Sequence, residues 1–194
     1  MKSLTNDAFA NRRRALEDEF FFERDQQLLA NLRHELATLE EEHKLGHVSG
    51  IIQAKVLLDL VRCGVTAESL LAVRMVPMIV VAWADHFISQ EERLAILKAA
   101  EEDNIRPGSA PYELLWTWLK TKPRPEVITA WHEYVGELVK MSPPESLAEL
   151  RDRTSRLCHA VARCANGFWS LGTISATTQQ VIDEFVNAWN QASS

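Results

Sequence analysis

Between residues 6 and 44 the chain contains neither proline nor glycine and is densely charged. Such a run favours one long helix, because nothing in it interrupts the i→i−4 backbone ladder. Phe22, Leu29, Leu32, Leu36 and Leu39 fall on a heptad-like seam, with Phe20 and Phe21 adding aromatic bulk. Asp18 and Asp25 occupy seam positions where a coiled coil wants apolar side chains. The stretch therefore reads as an arm that packs on its own domain or on a partner, more than as a long autonomous coiled coil. Three successive helix positions cannot share one face. Phe20, Phe21 and Phe22 are accordingly candidate contacts for a protein partner or for self-association. Gly46 and Gly50 are expected to close the arm, giving a charged helical arm over residues 1–47 and a helical domain over 48–194.

Downstream, each apolar run has helical spacing and is bounded by a cap or a breaker. A helix over 51–63 carries Leu57, Leu58 and Val61 on one side, and Gly64 ends it as a left-handed cap. Thr66 opens a short helix leading to Pro77, which starts another over 76–85, since proline is tolerated in a first turn and not mid-helix. That helix is apolar nearly all round and is expected at the centre of the fold. Ser89-Gln90-Glu91-Glu92 has the form of a capping box, and its helix runs to about residue 103. Ser109 caps a helix carrying Tyr112, Leu115, Trp118 and Leu119. After Pro123 and Pro125 an amphipathic helix follows through Val127, Trp131, Tyr134, Val135 and Leu138. Ser142-Pro143 opens a long helix that Gly167 ends, and a last helix covers about 176–190. No segment alternates with period two, so no strand is assigned and the fold class is all-α.

Composition narrows the functional classes. Hydrophobic residues make up 46% of the 194, enough for a sizeable core. The net charge of −6 argues against nucleic acid as a partner, since phosphates require a basic surface. The basic run Arg12-Arg13-Arg14 is answered at once by Glu17, Asp18 and Glu19 and reads as a solvated helix face. Cys63, Cys158 and Cys164, an odd number without a paired pattern, argue against a disulfide framework. The start of the chain lacks a signal-peptide pattern, and the longest apolar stretch, 76–84, is too short for a transmembrane segment. These features together read as cytoplasmic.

Two stretches echo one another: Trp83, Ile88 and Ser89 match Trp169, Ile174 and Ser175 in register, and Ile96 matches Ile182. A duplicated helix–turn–capped-helix unit explains the echo. Residues 80–92, with Ala84-Asp85-His86, Ile88-Ser89 and Glu91-Glu92, resemble the TerB-like tellurite-resistance family. Its members carry an apolar helix ending in Ala-Asp-Gly, then Ile, a Ser or Asp, and glutamates. The likeness covers roughly 66–190 and leaves the arm outside it. It implies a compact helical bundle of two related halves and roles in stress response or membrane-associated complexes, including peripheral ones, without established catalysis. It also implies a divalent cation, calcium or magnesium, held by acidic residues, which here match Asp85, Glu91 and Glu92. The chain departs from the family at His86, which stands where glycine is usual, and in the second half, where Leu171, Thr177 and Thr178 replace acidic positions.

The same residues have plainer roles. Glu92 is the capping-box partner of Ser89, Glu91 complements the helix dipole, and Asp85 is a turn charge. His43 and His47 share a helix face, yet Gly46 lies between them and no third ligand is near in sequence. His132 and His159 sit within helices. No pattern arranges a nucleophile with a base. Trp116 projects away from the apolar face set by Leu115, Trp118 and Leu119, which makes it, beside Tyr112, a second candidate partner contact. The expectation is a non-enzymatic interaction or scaffold module. Its alternatives are a metal-dependent enzyme using Asp85, His86, Glu91 and Glu92, or a regulatory inhibitor acting through the N-terminal helix.

Overall fold

The computed structural model describes residues 3–164 and 174–191, with side chains described over 23–164 and 174–190. Among the described residues there are eight α-helices and no strand: α1 (Ser3–Ser49), α2 (Ala54–Arg62), α3 (Val76–Ala82), α4 (Gln90–Glu102), α5 (Ala110–Lys120), α6 (Pro125–Met141), α7 (Pro144–Cys164) and α8 (Ala176–Gln191). A 3₁₀ turn, Leu70–Met75, runs directly into α3, with Pro77 in the first turn of that helix. The chain is all-α, as its spacing predicts. None of the described helices is long and apolar enough to cross a membrane.

The chain divides into two compact units, residues 1–40 and 41–194. The first of these units ends inside α1, which runs on through Gly46 to Ser49. Gly46 is not a stop. A β-carbon there would lie 3.1 Å from Leu57 Cδ1 and 3.3 Å from the Ile51 carbonyl oxygen, so glycine lets α2 and the following turn approach the helix. The stop is Gly50, whose φ of +73° closes the helix while its N–H donates to the Gly46 carbonyl at 2.9 Å.

The first unit is the first part of α1 alone. In the second, Leu45 from the end of α1 is fully buried and opens the core. The central element is α3, where Val76, Met78, Ile79, Val81 and Ala82 are all buried, as a helix apolar on every side demands. It packs against α7 and α8, while α4 packs on α7 and α6 lies against α2 and α8. Trp131 of α6 meets Phe185 and Trp189 of α8 edge-on, with ring centroids 4.8 and 6.1 Å away. Such T-shaped contacts add to the burial of three large side chains.

Several buried positions share a register between the helices flanking the first capped turn and those flanking the second. Ala72, Met75 and Val76 before the first capped turn correspond in register to Cys158, Val161 and Ala162 before the second, and all six are buried. After the turns, Glu92, Ile96 and Ala99 correspond to Thr178, Ile182 and Phe185, again all buried. Trp169 and Leu171, which the sequence echo also involves, lie outside the described residues, as does Gly167.

Candidate functional site

The acidic turn joins α3 to α4. After Ala82 the backbone leaves the helix, and His86 adopts a φ of +70°, the left-handed conformation that glycine accepts most readily. His86, Asp85 and the neighbouring Phe87 are exposed. Ser89 then caps α4: its Oγ accepts from the Glu92 N–H at 3.1 Å, and Glu92 Oε2 accepts from the Ser89 N–H at 2.9 Å and from its hydroxyl at 2.8 Å. Both halves of the capping box are present. Trp83, at the end of α3, anchors the turn by donating its indole N–H to the Trp118 carbonyl at 3.0 Å.

This geometry gives the three candidate metal ligands different surroundings. Glu92 is 4% exposed, with its carboxylate directed at the Ser89 cap, whereas Asp85 and Glu91 are exposed. Burial pushes the Glu92 carboxyl above its ordinary value, and the carboxylates of Asp85 and Glu91 push the same way against the lowering effect of the Ser89 hydrogen bonds. Among the described residues no three His, Cys, Asp or Glu side chains come together as a set that could hold a metal ion. The second turn has the same cap without the acids. Ser175 Oγ accepts from the Thr178 N–H at 3.1 Å and lies 2.8 Å from Thr178 Oγ1, with Thr178 buried where Glu92 is buried in the first turn.

The other sequence candidates fall elsewhere. Phe20, Phe21 and Phe22 lie on α1, and their side chains are outside the described residues. Further along the same helix Leu29, Leu32, Leu36 and Leu39 are exposed by 45, 46, 60 and 56%. Trp116 is half-buried and packed against the core. Its ring stacks on Tyr112 and carries the Arg93 guanidinium and the Lys120 ammonium at 5.6 and 5.2 Å from its centroid. Two cations occupy the ring that the spacing of α5 left free for a partner. His43 and His47 do meet edge to face at 5.1 Å because α1 continues past Gly46. Of the internal histidines, His159 Nδ1 lies 2.8 Å from the Ser155 carbonyl oxygen, and His132 stacks on Phe185.

Burial pushes the Cys158 thiol up to about 12 and raises that of Cys63, the reverse of the shift that activates a thiolate. The hydroxyls of Ser89, Ser109 and Ser175 cap helices.

One feature is not signalled by the sequence. Between the start of α3, the end of α4, α6, α7 and the end of α8 lies a cleft of about 490 Å³ that contains Arg74, Tyr134, Arg153 and Trp189. These residues are scattered along the chain without a shared motif, and only the packing of the 3₁₀ turn with α6, α7 and α8 gathers them. No family model matches the chain, and no curated protein and no solved structure matches it.

Proposed function

We propose that the protein is a non-enzymatic, TerB-like helical interaction module whose N-terminal helix pairs with the same helix of a second copy. The observation that carries this reading is the exposed row Leu29, Leu32, Leu36 and Leu39. Its spacing of three, four and three residues places the four on one seam of a helix, the arrangement that a second helix with the same repeat covers. That spacing reads the same in both directions. Two antiparallel copies therefore set Leu29 against Leu39 and Leu32 against Leu36 on each side, so a second copy completes the seam without any further element. The seam spans about 15 Å of helix at 1.5 Å per residue, which suits reversible association more than a permanent dimer.

The up-shifted thiols and the cap roles of the serines support action by contact and not by catalysis. The matching caps at Ser89 and Ser175, with buried partners at Glu92 and Thr178, support the reading of the body as two related TerB-like halves.

Sedimentation equilibrium of the full chain tests the pairing. The wild type should show concentration-dependent dimerisation, and the double substitution Leu32→Glu, Leu36→Glu should abolish it while leaving helical circular dichroism unchanged. A wild type that stays monomeric across the accessible concentration range would sink the proposal.

A further inference from the structure

The cleft in the helical body has the size of a small-molecule site, about 490 Å³. Its floor is apolar and buried at Met75, Met78 and Val135, and half-buried Leu138, Leu150 and Leu157 form a wall that solvent reaches. Two methionines in the floor suit it to apolar bodies of more than one shape, because the thioether chain is unbranched and polarisable.

The charges that line the cleft balance. Arg153 is ion-paired with Asp103, so that pair is internally neutralised. Arg74 and Glu149 are both exposed, and neither takes part in an ion pair among the described residues. A singly charged ligand is attracted by one of the two and repelled by the other. It also sheds hydration to enter an apolar chamber, with no net attraction to offset that cost. The rest of the polar lining is neutral: the hydroxyl residues Tyr134, Ser142, Ser146 and Thr154, and Trp189. Burial raises the Tyr134 phenol against the effect of nearby Arg74, so it too is uncharged near neutral pH.

We propose that this cleft binds an uncharged, largely apolar small molecule of the medium-chain alcohol type, its hydrocarbon body against Leu138, Leu150 and Leu157 over the floor of Met75 and Val135. The balance of Arg74 against Glu149 sets the preference, because it removes the Coulombic gain that an acid or an amine would need on entering. The site is independent of the leucine seam, and neither proposal requires the other.

Calorimetric titration of the full chain with octanol, octanoate and octylammonium, each below its aggregation limit, tests it. Octanol should bind saturably and roughly tenfold or more tighter than either charged analogue. The protein's net charge of −6 repels one analogue and attracts the other, so it cannot by itself weaken both. Leu138→Trp and Leu157→Trp each place a larger side chain in the wall, and each should weaken octanol about tenfold. Both positions are half-buried, and unchanged thermal unfolding identifies a variant that remains folded. The double substitution Leu32→Glu, Leu36→Glu should bind octanol as the wild type does. Absence of saturable octanol binding would overturn the proposal, as would equal or tighter binding of octanoate or of octylammonium. Undiminished binding by a folded Leu138→Trp or Leu157→Trp chain, or loss of binding in the seam variant, would place the ligand elsewhere and overturn it too.

Discussion

Glu92 holds two roles in tension. Its carboxylate completes the cap of α4, and its burial penalises the charge that makes it a good acceptor. A carboxyl whose folded pKa is raised binds its proton more tightly in the native state. Stability from this group is therefore greatest below the ordinary glutamate value of 4.5, and falls as pH rises from there through the elevated folded pKa. Glu92→Gln keeps the accepting oxygen and removes the titration. Urea unfolding should show the difference in stability between Gln and wild type moving in favour of Gln as pH rises through that window. Because Glu92 faces the cap while Asp85 and Glu91 stay exposed, calorimetry with calcium or magnesium should show no saturable heat at this turn. Heat that disappears in Asp85→Ala would contradict this reading.

At the scale of elements, about half of the helix boundaries are explained by one or two residues. Ser89 and Ser109 cap through their hydroxyls, Pro77 and Pro125 sit in first turns, and Gly64 takes a φ of +82° after α2. All of these are local, and all are legible in the sequence. The end of α1 is the instructive exception, since Gly46 and Gly50 look alike in sequence. Only the approach of Leu57 to the first and the positive φ of the second tell them apart. Gly50→Ala has open space for its methyl group and suffers only the backbone conformation, which should cost about 1 kcal/mol. Denaturant unfolding measures it, and an unchanged midpoint would show that the helix can end elsewhere.

At the scale of the molecule, buried hydrophobic residues among the described ones begin at Leu45. Removing residues 1–40 should thus leave a body that unfolds cooperatively, with a melting temperature within a few degrees of the full chain by circular dichroism. The shortened chain would at the same time lose the dimerisation that the leucine seam provides. A broad, non-cooperative melt would mean that the arm contributes to the core.

The sequence by itself determined the helical class, the order of the helices and about half of their ends, because these depend on spacing and on side chains within one turn of each other. It also determined the capping box at Ser89 and Glu92, for the same reason. Only the tertiary structure decided that Arg93 and Lys120 lie by the Trp116 ring, that Asp85, Glu91 and Glu92 are not gathered as a ligand set, and that Arg74, Tyr134 and Trp189 line one cleft. Those outcomes depend on which helix faces meet. Side chains far apart in the chain become neighbours only through packing, and no periodicity within a single helix records which neighbour it will have.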